Sequence, residues 1–281
     1  MQTTTKQKIA FNILFVCTLV VILPVLFVLF IVVKNGASAL NWQFLSAMPK
    51  AGMREGGIYP AIMGTIYLVS LSLLFSLPLG LGAAIYLNEY AKDNWLTRII
   101  RLAIINLAGV SSVVYGLFGL ALFVTFLKFG VSILSGALTL AIMNLPVIIT
   151  ASREALASVP DSFREVSLSL GASKWQTIRY SVLPNALPGI LTGAILSLAR
   201  AAGETAPILF TVAAFYLPNL PHSVFDQAMA LPYHLYIIST QIPNIPQNFR
   251  YGTALVLIGL VFGMNIVAVI IRAKFRKNKK W

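Results

Sequence analysis

Apolar residues in this chain gather into six long runs, at 9–33, 59–87, 99–127, 133–150, 186–214 and 251–271, with polar stretches between them. Each run is near the ~20 residues that an α-helix needs to cross a hydrocarbon core. The fold class this predicts is an all-α polytopic membrane protein with six transmembrane helices. A very short turn at Phe129-Gly130 joins the third and fourth runs. Two glycine pairs, Gly189/Gly193 and Gly259/Gly263, repeat at small-x3-small spacing on the fifth and sixth runs, where backbones can approach closely. Gly80 and Gly82 after Pro78 are expected to kink or break the second.

The longest polar interruption is 152–184, SREALASVPDSFREVSLSLGASKWQTIRYSVLP. Ser162 with Glu165 spells a capping box, which predicts a helix start there behind Pro160 and Asp161. Phe163, Val166 and Leu170 give that helix one apolar face, and Gly171 stands where a C′ residue with positive φ is wanted. Ser173 with Gln176 is a second capping box, followed by an apolar face of Trp175, Ile178 and Val182 and a stop at Leu183-Pro184. The pattern predicts two short amphipathic helices hinged at a glycine, each too short to span a membrane, forming a docking surface. The plainer reading is an interfacial hairpin without a partner.

Composition narrows the picture. Of 281 residues, 58% are hydrophobic and 10% charged, which places the chain in a membrane. The net charge of +13 points to lipid rather than nucleic acid, because the basic residues flank the apolar runs. Lys6 and Lys8 precede the first run; Arg272, Lys274, Arg276, Lys277, Lys279 and Lys280 follow the last. Lys92, Arg98, Arg101, Arg153, Arg164, Lys174 and Arg179 share the side of the two termini, against Lys34, Lys50, Arg54, Lys128 and Arg250 opposite. The positive-inside rule therefore predicts cytoplasmic N- and C-termini and a cytoplasmic 152–184 segment. The first run is too long for a removed signal peptide and lacks a small-residue cleavage site. The lone Cys17 is expected to be a buried free thiol. Outside, Trp42 and Phe44 are expected as interface anchors and 233–240 as a short helix lying on the membrane. His222 and His234 lack Cys or Glu companions, so they are expected at the interface rather than on a metal.

No G-x-x-x-x-G-K-[ST] phosphate loop is present, and no Ser/His/Asp or Cys/His set converges, so the chain is not expected to be an enzyme. Leu134-Ser135-Gly136 lies inside an apolar run and carries no chemistry. The anomaly is Arg200 with Glu204, about 22 Å into the fifth run at ~1.5 Å per residue. Ionisable residues at that depth cost at least ~2.5–3.5 kcal/mol each and usually face a pathway or a partner. One reading makes the pair a self-neutralised packing contact. In the other, Arg200 meets a passing anion through its fork of donors while Glu204 moderates its charge. Ser197 and Thr205 could add hydroxyl donors, and Gly203 and Pro207 could loosen the helix at a gate.

Glu165, Gly171 and Leu183-Pro184 stand at the spacing of the E-A-A-x3-G-x9-I-x-L-P loop of importer permeases of the ATP-binding cassette (ABC) class, with Val166-Ser167 in place of the alanines and Ser181 in place of the isoleucine. GETAPILFT at 203–211 resembles the phosphate-uptake permeases, the PstA subunit family, and the resemblance extends from about residue 59 to the C-terminus. It implies a type I ABC importer permease fold in one domain, 1–281, with a first span and external segment at 1–58 and the core permease at 59–281. It also implies that Glu165, Val166, Ser167, Leu168, Gly171 and Ala172 couple to an ATPase, and that Arg200, Glu204, Thr205 and Ser197 border the phosphate pathway. The implied partners are a second permease of the PstC kind, a cytoplasmic ABC ATPase dimer that binds the ATP, and an extracytoplasmic phosphate-binding protein, in the plasma (inner) membrane. No cofactor of its own is implied. The rivals are a permease for another solute (molybdate, sulfate, phosphonate or an amino acid), an ion-gradient-driven carrier, and a structural scaffold.

Overall fold

The computed structural model describes residues 5–277, with side chains from 7 to 274. Lys6, Arg276, Lys277, Lys279 and Lys280 of the basic flanks lie outside that side-chain range. The chain forms α1 (Thr5–Gly36), a short α2 (Trp42–Ser46) and a two-residue hairpin, β1 (Pro49–Lys50) with β2 (Glu55–Gly56). Then come α3 (Tyr59–Ile85), α4 (Trp95–Ala108), α5 (Ser112–Gly119), α6 (Ile133–Ala157), α7 (Asp161–Ser169), α8 (Lys174–Thr177), α9 (Leu183–Gly203), α10 (Ala206–Thr211), α11 (Leu231–Thr240) and α12 (Gln247–Lys277). Among the described residues five helices are long and apolar enough to cross a membrane, or six if one bent pair counts as a single span.

That bent pair is the third predicted span. It is α4 followed by α5 and a π-helical continuation to Phe126, turned through 103°. Gly109 closes α4, and Ser111, in extended conformation, starts α5, so the ladder of backbone bonds is interrupted where sequence hydropathy is uniform. The second span shows the reverse: α3 runs through Pro78 without a break. Gly80 instead lets α6 approach, since a Cβ there would stand 2.6 Å from Ile148.

The bundle is built on α3, α6 and α9. Gly189 and Gly193 bring α9 onto α6, where a Cβ on either would meet Ala155 or Ala151 at 2.5 and 2.6 Å. The other expected pair, Gly259 and Gly263, faces open space. α1 packs on α12 and leaves most of its surface outward, so Cys17 is exposed rather than buried. In a span this exposed side is the side offered to lipid.

At the end remote from 152–184, the largest apolar cluster gathers Met53, Ile58, Leu68, Leu231 and Ile238. Phe44 belongs to it, buried edge-on against Phe249 at 5.0 Å, so only Trp42 of the two expected anchors is exposed. The helix expected at 233–240 exists as α11, but it is packed inside rather than lying on a surface. Its Leu231 amide donates to Thr65 Oγ1 on α3 at 2.8 Å, and Tyr233, His234, Ile237 and Ile238 are buried. His234 is therefore a core residue, not an interfacial one. His222 is exposed, its amide donating to Asp226 Oδ2 at 2.8 Å.

Candidate functional site

Two places carry the polar chemistry: the 152–184 segment at one end of the bundle, and the Arg200–Glu204 pair at a break in α9.

The segment begins later than its composition suggests, because α6 continues through Ala157 and absorbs Ser152 and Arg153. The first capping box is not formed. Pro160 is the N-cap, with no side-chain cap bond, and α7 starts at Asp161, so Ser162 lies inside the first turn rather than ahead of the amides it would cap. α7 closes as a Schellman motif. The Ala172 amide donates to Ser167 O at 3.2 Å, the Gly171 amide donates to Leu168 O at 2.9 Å, and Gly171 takes the predicted left-handed conformation, φ +83°. The second capping box is complete, with Ser173 and Gln176 each accepting the other's amide. Its helix does not stop at Leu183-Pro184. α8 passes through a π-helical turn, Ile178–Val182, into α9, giving one helix from Lys174 to Gly203. The wide turn accommodates Pro184, which cannot donate into the ladder. The second helix of the segment is thus the extension of the fifth span.

Ser167 Oγ lies 3.0 Å from Thr177 Oγ1, tying α7 to α8. Ser181, which departs from the permease loop pattern, donates its hydroxyl to Phe163 O at 3.1 Å. Between the two arms lies a groove of about 430 Å³ bordered by Phe163, Val166, Leu170, Tyr180 and Ser181. Glu165, Val166, Leu168 and Ala172 stand exposed or half-exposed on the same segment, and Leu170 is 84% exposed. With Val166 and Leu168 also exposed, Leu170 belongs to a group of open apolar side chains on α7 and its end, the kind of patch that suits a partner surface.

Sequence reasoning missed what anchors this segment. Arg164 donates from Nη2 to Glu89 Oε1 at 2.9 Å and from Nε to Glu89 Oε2 at 3.3 Å. Nη1 also donates to Val159 O at 2.7 Å and to Asp161 Oδ1 at 3.1 Å, and Nη2 to Leu156 O at 2.9 Å. The hydrogen bond to Glu89 holds Arg164 charged even more firmly than usual, against the opposing pull of burial. The partners are 75 positions apart, and the available signal was Glu89 itself, an acid immediately behind an apolar run.

The second place is where the fifth predicted span, 186–214, gives way. α9 ends at Gly203, Glu204 turns to extended backbone (φ −72°, ψ 138°), and α10 begins at Ala206 with Pro207 in its first turn. Arg200, in the last turn of α9, donates from Nε to Glu204 Oε1 at 3.3 Å. Their side chains are 35% and 17% exposed. Among the described residues no other hydrogen bond engages the Arg200 guanidinium, whose remaining N–H groups are free for an acceptor. Tyr115 lies within electrostatic reach of Arg200 and donates its hydroxyl to Leu107 O at 2.8 Å. Thr205, half-buried, adjoins the pair in the break. Ser197 is fully buried, its hydroxyl donating to Gly193 O at 3.0 Å, so in this conformation it is not brought to the pair. Among the described residues no group of three His, Cys, Asp or Glu side chains could hold a metal.

Comparison with known proteins agrees with this architecture. The alginate importer of a bacterial ABC system superposes over 98% of both chains with a TM-score of 0.70 at 14% identity. The inward-facing MetNI methionine ABC transporter superposes over 76% of this chain and 94% of its own, with a TM-score of 0.62 at 16% identity. At such identities the likeness establishes the fold, that of a type I ABC importer permease. In sequence, the "Phosphate transport system permease protein PstA 1" of Mycobacterium tuberculosis (strain ATCC 25618 / H37Rv) is 36% identical over 272 residues, 95% of this chain and 87% of its own. The "Probable ABC transporter permease protein YqgI" of Bacillus subtilis (strain 168) is 36% identical over 248 residues, 83% of this chain and 84% of its own. PstA of Yersinia pestis is 32% identical over 279 residues, 96% and 90%. The family described as "Binding-protein-dependent transport system inner membrane component" matches residues 76–280, and with helices and relatives in agreement this chain belongs to it.

Proposed function

We propose that this chain is a transmembrane permease subunit that passes inorganic phosphate through an ATP-driven importer. The observation that carries the reading is Arg200, a guanidinium with one protein partner, set beside a break in a membrane helix. A planar fork of donors suits phosphate oxygens, and the Glu204 carboxylate at 3.3 Å keeps the site from holding an anion too tightly for passage. Thr205 adds a hydroxyl in the same break; Ser197 joins only if α9 rotates. Relatives whose names are phosphate transport permeases, 32–36% identical over 95–96% of this chain, support the choice of solute.

The remaining parts follow from the family. A sibling permease of the PstC kind completes the conduit, an extracytoplasmic phosphate-binding protein delivers the solute, and a dimer of cytoplasmic ABC ATPases binds and hydrolyses the ATP. Glu165, Val166, Ser167, Leu168, Gly171 and Ala172 meet one ATPase, so both termini are cytoplasmic. When the ATPases close on ATP, the docking segments move with them, and the paired permeases switch from inward- to outward-facing.

The test is phosphate flux and ATP hydrolysis by the complete importer in proteoliposomes. With both Arg200→Gln and Glu204→Gln, no uncompensated charge remains in the membrane, so the complex folds and hydrolyses ATP. Its phosphate flux falls steeply, and Arg200→Lys, which keeps the charge but loses the fork, retains part of it. Full flux from the double variant would refute the role of the pair, and flux of molybdate or sulfate in place of phosphate would refute the solute.

A further inference from the structure

The Arg164–Glu89 contact has the geometry of a joint rather than a surface ion pair. It is bidentate, at 2.9 and 3.3 Å, and its side chains are only 18% and 7% exposed. Glu89 sits on the π-helical turn Tyr86–Tyr90 that ends the second span, and Asn88 Nδ2 donates to its Oε1 at 2.9 Å. Arg164 reaches it from α7 while donating to Leu156 O in the last turn of α6 and to Val159 O just beyond it. The other arm of the docking segment holds the same turn: Lys174 Nζ, on the first residue of α8, lies 4.9 Å from the centre of the Tyr90 ring. Both arms, hinged at Gly171, therefore close on residues 86–90.

The second span leads from that turn to the polar pair. Val69 of α3 is packed with Ala201 and Ala202 of α9, the two residues that follow Arg200. Two routes thus join the docking segment to the break. One is the continuous helix of α8 and α9, which contains the π-helical turn; the other is α3, reached through the Arg164–Glu89 contact.

We infer that Arg164 and Glu89 are positioning residues that make α3 move with the docking segment, so that α3 and α9 shift together around Arg200 when the ATPases close. This rests on the reading of 152–184 as the ATPase-docking segment. Without the contact, α9 alone follows the ATPase, and hydrolysis continues without a matching passage of solute.

The experiment uses the complete importer in proteoliposomes, in a Cys17→Ser background, and reads phosphate moved per ATP hydrolysed. Glu89→Gln lowers this ratio by roughly tenfold or more while the ATPase still copurifies; Arg164→Lys, which keeps the charge, lowers it less. Glu89→Cys combined with Arg164→Cys is uncoupled in the same way. Bridging the two thiols with a short bifunctional methanethiosulfonate restores the ratio, and reductant abolishes it again. A merely structural contact would not show this reversible rescue. An unchanged ratio in Glu89→Gln, or a bridged variant as uncoupled as the unbridged one, overturns the inference. If the unmodified importer moves no phosphate, the choice of solute fails instead. Stimulation of ATP hydrolysis by the binding protein then reads the contact: its loss in Glu89→Gln supports the inference and its persistence overturns it.

Discussion

Gly171 offers the sharpest test of the docking segment, because its demands separate cleanly. Its φ is +83°, and a Cβ built there meets no atom within 4 Å. Side-chain volume is therefore irrelevant within this chain, and the cost of substitution is purely conformational. Holding an L-residue in the left-handed region costs ~1–2 kcal/mol, or roughly 5- to 30-fold in the equilibrium between closed and opened turn. Two amides depend on that turn, Gly171 N–H on Leu168 O and Ala172 N–H on Ser167 O. Hydrogen exchange at these positions reads the opening directly. Gly171→Ala should lower their protection by that factor and reduce uptake by the intact importer, and Gly171→Val should do more. Gly171→Asn should lie nearer to the parent, since a short polar side chain tolerates the left-handed region. Asn behaving as badly as Ala would refute the conformational argument, and unchanged exchange and uptake in the valine variant would remove the hinge altogether.

Three further outcomes can be checked independently. A tag near Asn219 should be reachable only from outside the cell and tags at either terminus only from the cytoplasm; a cytoplasmic Asn219 would overturn the docking assignment. Burial pushes the His234 imidazole down to about 4, and among the described residues neither ring nitrogen has a hydrogen-bond partner. Because the unfolded chain takes up a proton near the ordinary value of ~6.5 and the folded one does not, stability should be unaffected above that pH and fall as pH drops towards 4, by at most on the order of 3 kcal/mol. His234→Leu should flatten that fall in a detergent melting series. A Cβ at Gly64 would collide with the Met229 carbonyl, so Gly64→Ala should lower the melting temperature by an overpacking cost of ~1–3 kcal/mol, while Gly259→Ala, in open space, should not.

The family and the membrane character were written in local patterns. Apolar runs of membrane length, the Ser173–Gln176 capping box and the glycine at the end of α7 each arise from a few neighbouring residues; the box and the glycine are found where the sequence places them, and the runs form helices there, the third and fifth with a break. Element ends were legible only where a local hydrogen bond sets them. Ser162 with Glu165 spelled a start, yet Pro160 set the cap two residues earlier and left that box unformed. Leu183-Pro184 spelled a stop, but a π-helical turn carried the helix through. The breaks at 109–111 and at Glu204 lie in apolar runs, where hydropathy is blind to backbone direction.

The sequence by itself also singled out Arg200 and Glu204, because two charges four positions apart in an apolar run are conspicuous without any fold. It could not show that α9 ends between them, or that Ser197 turns inward to Gly193 while Arg200 keeps free donors. The tertiary structure decided the rest by bringing distant residues together. Glu89 and Arg164 are separated by two spans in the chain, and neither stands out alone. Burial of His234 and Phe44 likewise follows from α11 and α2 folding back onto α3 and α12. Local sequence specifies helices, caps and membrane length because those depend on near neighbours. Which polar groups meet depends on helix packing, and that is set by close approaches such as Gly80 on Ile148 and Gly193 on Ala151.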